Sequence, residues 1–112
     1  MKQIEKNIAK TAMKVLDDVK FEYYKDRMVR TKISDYKSLY PEKYDGVQNR
    51  LIWEVWIEWY NPDFLGGKDA FMTIEIDDET GIADKIYITI GQGGPLDIAL
   101  DSKGKYYVKN SL

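Results

Sequence analysis

Ten residues constrain this chain more than any others: LIWEVWIEWY, Leu51 to Tyr60. The odd positions, Leu51, Trp53, Val55, Ile57 and Trp59, are all apolar, whereas the even positions run Ile52, Glu54, Trp56, Glu58 and Tyr60. A period of two belongs to a strand with one face buried, since successive side chains leave opposite faces and a slip of one residue would turn the whole apolar set to water. Burying the five odd residues contributes on the order of 7–15 kcal/mol of gross hydrophobic stabilisation, much of it offset by the entropy of ordering the chain. The even face is the unusual one. A face that only meets solvent has no need of Trp and Tyr set between two acids.

The flanking sequence supplies what such a strand packs against. Ile4, Ile8, Ala12, Val15, Leu16 and Val19 recur at steps of three and four, which predicts a helix over residues 2–19 with Lys6, Lys10, Lys14 and Asp17 on its far side. Residues 20–50 have no clean period; a short strand is expected near Arg27–Ile33, and YPEKYDGVQ reads as a loop. After Asn61-Pro62-Asp63 and the connection FLGGK, a second strand is expected at Asp69–Asp77, with Ala70, Met72, Ile74 and Ile76 on one face and Phe71, Thr73 and Glu75 on the other. DDETG then provides a tight turn with Gly81 free to take a positive φ. A third strand, Ile82–Ile90, places Ile82, Ile86, Ile88 and Ile90 inward and Lys85, Tyr87 and Thr89 outward. GQGGP breaks it, and LDIAL and KYYVK flank DSKG as a hairpin. One helix, an irregular middle and then strands predicts a single α+β domain over residues 1–112. Its N-terminal helix packs on a curved antiparallel sheet of four to five consecutive strands.

Composition narrows the chemistry. The 112 residues include no His and no Cys, which removes the usual general base, the usual zinc ligands and all thiolate chemistry. No acidic run has the spacing of a calcium loop, so neither a metal nor a cofactor is expected. GQGGP lacks the following Lys-Ser/Thr of a phosphate loop. Glu54 and Glu58, four residues apart on one strand, would stand about 13 Å apart, beyond the roughly 5–9.5 Å of a glycosidase pair. The expectation is a protein that is not an enzyme. Lys2, Lys6, Lys10 and Lys14 interrupt any signal-like apolar run near the start, and no segment is long and apolar enough for a membrane span, which points to the cytoplasm.

Charge divides unevenly along the chain: residues 1–50 hold 12 Lys/Arg and 8 Asp/Glu, residues 51–112 hold 5 and 11. The acidic half disfavours nucleic acid and suits a basic partner, provided its charges share one face. If the three central strands pair in order, Glu54, Trp56, Glu58, Tyr60, Phe71, Glu75 and Tyr87 gather on the face away from the helix. Aromatics ringed by acids are what an interface core and rim use. Two readings of this face stand: a surface for a protein partner, or a second small core covered by residues 20–50 with Glu54, Glu58 and Glu75 emerging at its rim.

A helix followed by a long meander is similar to the cystatin-like and nuclear-transport-factor-like superfamily. Within it, Trp53-Glu54-Val55 and GGKDAFMTIEIDDETGIADKI, Gly66 to Ile86, resemble the small immunity proteins of bacterial polymorphic toxin systems. The turn Ile76-Asp-Asp-Glu-Thr-Gly81 is also similar to one in PepSY-type domains. The immunity-protein resemblance implies a non-catalytic inhibitor that masks a basic toxin or nuclease. The fold resemblance implies an alternative, a pocket between sheet and helix that binds or transforms a small apolar molecule. A self-associating accessory subunit is the third possibility, and the sequence leaves the oligomeric state open.

Overall fold

The computed structural model describes residues 2–43, 46, 50–61, 68–88 and 95–109. Its elements follow in the order α1 (Glu5–Val19), β1 (Arg30–Asp35), α2 (Tyr36–Leu39), β2 (Leu51–Asn61), β3 (Lys68–Asp77), β4 (Ala83–Ile88), β5 (Leu96–Leu100) and β6 (Tyr106–Val108). The strands form an antiparallel sheet in sequence order, β1-β2-β3-β4-β5-β6. The α+β class is as expected; the strand count is six rather than four to five, because the irregular middle contributes an edge strand. No helix among the described residues is long and apolar enough to cross a membrane.

The core lies between α1 and one face of the sheet. Ile8, Ala12, Val15 and Leu16 of the helix pack with Trp53, Val55, Ile57, Met72, Ile74, Ile76, Ala83 and Ile86, and the C-terminal hairpin adds Ile98 and Tyr106. The odd residues of β2 are therefore the inward ones. The helix starts later than its periodicity suggests: Ile4 is extended and 64% exposed, outside the first turn, so it takes no part in the core. At the other end Lys20 caps α1 in the left-handed region (φ 64°). Lys14 Nζ reaches the Gly104 carbonyl at 2.8 Å, and the Asp18 carboxylate accepts from the Tyr106 backbone N–H at 3.0 Å, so the helix is tied to the last hairpin by polar bonds as well as packing.

Two turns behave as their sequences require. Gly81 (φ 72°) closes the β3–β4 connection, where the Asp77 carboxylate also accepts from the Glu79 backbone N–H, and Gly104 (φ 80°) closes β5–β6. The third strand departs from expectation at its start. Ile82 is 41% exposed and Ala83 is buried in its place. The register runs Glu75↔Lys85 and then Ile76↔Ala83, so β4 carries one extra residue there, and that bulge moves the inward position from 82 to 83. Thr89, Ile90, the Pro62-Asp63 turn, FLGG and GQGG lie outside the described residues.

A buried carboxylate locks the start of the chain to the sheet. Asp78 accepts from the Trp53 indole Nε1 at 2.8 Å and from the backbone N–H groups of Lys2 and Gln3 at 2.7 and 2.9 Å. Burial pushes its pKa up, but these donors outweigh that and hold it below the ordinary value.

Candidate functional site

The sheet face turned away from α1 is built by alternate residues of successive strands. Its register places Lys32, Glu54, Glu75, Lys85 and Asp97 in one row across five strands, and Arg30, Trp56, Thr73 and Tyr87 in the next. Glu58 lies opposite Phe71 one step further on. All seven residues expected on this face, Glu54, Trp56, Glu58, Tyr60, Phe71, Glu75 and Tyr87, are brought to it. They do not share one environment.

Half of the face is sealed by the segment that follows β1. The Asp35 carboxylate accepts from the Ser38 backbone N–H at 2.7 Å and starts α2, while the Tyr36 N–H donates to the Arg50 carbonyl at 2.8 Å. These bonds carry Tyr40 over the sheet, where its hydroxyl donates to Glu75 Oε1 at 2.5 Å and lies 2.8 Å from the Tyr87 hydroxyl. Ile52, an outward position of β2, becomes buried, and a cavity of about 80 Å³ remains between Tyr36, Tyr40, Ile52, Glu75, Asp84 and Lys85. Glu75 is only 5% exposed, so it does not emerge at a rim as expected; Tyr40 covers it. Burial raises the Glu75 pKa above the ordinary carboxylate value, the Tyr40 hydrogen bond opposes this, and the charges of Asp84 and Glu54 add to it. Burial and then the Glu75 hydrogen bond push the Tyr40 hydroxyl far up, so it stays a proton donor.

The other half is open. Tyr60 and Phe71 are exposed, Trp56 is half-buried, and Arg30, Trp56 and Phe71 line a depression of about 310 Å³. Beside it the Arg27 guanidinium pairs with Glu58 at 3.1 Å and stacks over the Tyr24 ring at 4.2 Å. The acids of this face are thus largely engaged: Glu58 by Arg27, Glu75 by Tyr40, Asp77 by Arg50 at 2.9 Å, and Asp97 by Lys85 at 3.6 Å. Strand β1 adds Arg30 and Lys32, both exposed. The basic and acidic halves of the chain therefore interleave here, and the expected acidic face is a mixed one.

A second opening lies at the far end of the helix–sheet layer. It has about 300 Å³ and is lined by Lys20, Phe21, Glu22, Trp59, Tyr60, Met72 and Ile88. The Trp59 indole Nε1 is buried with no hydrogen-bond partner among the described residues. Among those residues no three Asp or Glu side chains are grouped as metal ligands.

Tyr40 and Arg30 shape these sites and Asp78 anchors the start of the chain behind the sheet; none of the three is read as functional from sequence. For Arg30 a signal existed, a basic residue in an expected strand; for Tyr40 and Asp78 the partners are long-range, and no local pattern announces them. Comparison with known proteins adds no relative: no family model, no curated protein and no solved structure matches the chain.

Proposed function

We propose that this chain is a non-catalytic protein-binding module whose contact surface is the open half of the outer sheet face. One observation carries the reading: on this half of the face Phe71 and Tyr60 are exposed and Trp56 is half-buried, with Trp56 and Phe71 lining a depression, while the adjoining half is sealed. Large aromatics on a preordered surface supply contact area at little entropic cost and are the side chains that anchor protein interfaces. Glu54, with the Arg27–Glu58 pair, forms the polar rim, and Glu75 and Tyr87 support the surface from beneath Tyr40.

That the partner is a toxin neutralised by this chain belongs to the same proposal and is supported by the sequence resemblance alone, as are the cystatin-like label and a bacterial, cytoplasmic setting. The partner's basic character has less support, because most of the acids that would attract it, Glu58, Glu75, Asp77 and Asp97, are paired or buried. The test is capture from the source cell with two baits, the native chain and the Trp56→Ala/Phe71→Ala variant. A protein retained by the first and lost by the second is expected; equal retention by both removes the proposal.

A second reading rests on the opening beside Trp59. Its mainly apolar lining, and an indole N–H with no partner among the described residues, suit a small apolar molecule that carries one hydrogen-bond acceptor. A shift of the Trp59 indole N–H resonance on adding such a molecule is the expected sign; an unmoved resonance across a panel of them counts against it.

A further inference from the structure

The sheet ends at β1, and that edge adjoins the open aromatic half. In an antiparallel pair, alternate residues of an edge strand turn their backbone N–H and C=O groups away from the neighbour. Strand β1 has six residues, and among the described residues its only backbone partner is β2. Its outward-face side chains Arg30 and Lys32 are exposed and form no ion pair within the described residues; Lys32 stands opposite Glu54 in the register without bridging it. Arg30 is also one wall of the Trp56–Phe71 depression.

We infer that the partner docks by strand addition: an extended, acid-rich segment of it pairs with the edge of β1 that faces away from β2, and one of its aromatic or large aliphatic side chains enters the depression. The inference rests on the protein-binding reading and specifies its mode and the chemistry of the partner. An added strand would lie about 5 Å outside β1 and about 10 Å from β2, from which a phenylalanine side chain can lean across Arg30 towards Trp56. Carboxylates on the same face of that strand would meet Arg30 and Lys32, which have no ion pair among the described residues, whereas the face's own acids mostly have partners. A second copy of the chain is the poorer occupant. Two β1 strands paired antiparallel with their outer faces aligned would set Arg30 and Lys32 of one copy within a residue or two of those of the other, and cations on an edge guard against such pairing. Main-chain hydrogen bonds would give affinity, and the depression and the two cations would give selectivity.

A random-heptapeptide display library selected on the intact native chain, followed by amide hydrogen exchange with the strongest selected peptide, tests this. The expected result is enrichment of Asp and Glu alternating with an aromatic, and slowed exchange at alternate residues of β1. Binding is then lost when alternate peptide amides are N-methylated. The Arg30→Glu/Lys32→Glu variant, altered only at exposed positions, should bind that peptide about fivefold or more weakly. Selection of basic peptides, no enrichment, slowed exchange elsewhere than β1, or β1 amides already protected in a self-associated chain would each overturn it. The two levels separate cleanly. A captured protein that depends on Trp56 and Phe71 but leaves β1 exchange unchanged sinks strand addition and spares the reading beneath it; a captured protein indifferent to both aromatics sinks that reading.

Discussion

The two halves of the outer sheet face are built from the same kinds of residue and meet different fates. Around Glu75 and Tyr87 an acid and an aromatic lie under Tyr40, hydrogen-bonded to it, the acid buried and the aromatic half-buried; around Trp56, Phe71 and Tyr60 the same alternation stays open. The difference is not in the strands. It comes from a four-residue helix and the tyrosine after it, which reach across only one half. Alternation along a strand thus fixes which side a residue takes, and a neighbouring segment decides whether that side becomes a surface.

The contrast can be broken most severely by comparing tryptophans on opposite faces of β2. Trp53→Ala removes a buried indole and a donor to Asp78 and should cost about 3–5 kcal/mol of stability, whereas Trp56→Ala should cost about 1 kcal/mol; equal losses by denaturant unfolding would erase the distinction between the faces. Within the outer face, Tyr40→Phe takes the hydroxyl from Glu75 and Tyr87 and should cost about 1–3 kcal/mol. Tyr60→Phe, in the open half, should stay within about 0.5 kcal/mol. Losses in the reverse order would mean that Tyr40 does not seal its half.

The smallest effect is one of pH, and its sign differs between the two buried carboxylates. The folded pKa of Glu75 is raised above its ordinary 4.5, so its contribution is fully present below that value and is lost as pH climbs through the folded pKa. The folded pKa of Asp78 is lowered below 3.8, so its contribution is present above 3.8 and is lost as pH falls through the folded pKa. Stability measured against pH should therefore show Glu75→Gln gaining on the native chain as pH rises past 4.5. Asp78→Asn should lose its deficit only as pH drops below 3.8. Parallel curves for the two variants would show that Tyr40 does not hold Glu75 out of water.

Much of this was legible in advance. Period-two alternation in Leu51–Tyr60 and three-four spacing in Ile8–Leu16 both report a buried face directly, and Gly81 sits where a positive φ is needed. What stayed hidden depends on contacts between distant residues. The bulge that exchanges Ile82 for Ala83 is a property of two strands together, so no single strand's pattern contains it. Strand β1 begins a few residues later than expected, because RTKISD buries nothing fully and shows no apolar face. The cover on Glu75 rests on Tyr40, 35 residues away, and the clamp on the chain's start rests on Asp78, whose neighbour Asp77 does the local work a turn acid is expected to do. The candidate site was legible as a set of residues and not as a surface with one sealed half.

The most direct test is a calorimetric titration of the captured partner against the native chain, Trp56→Ala and Glu58→Ala. The account predicts that Trp56→Ala weakens the complex by about 2 kcal/mol or more, close to thirtyfold, with the variant still folded. Native affinity in both variants would contradict it.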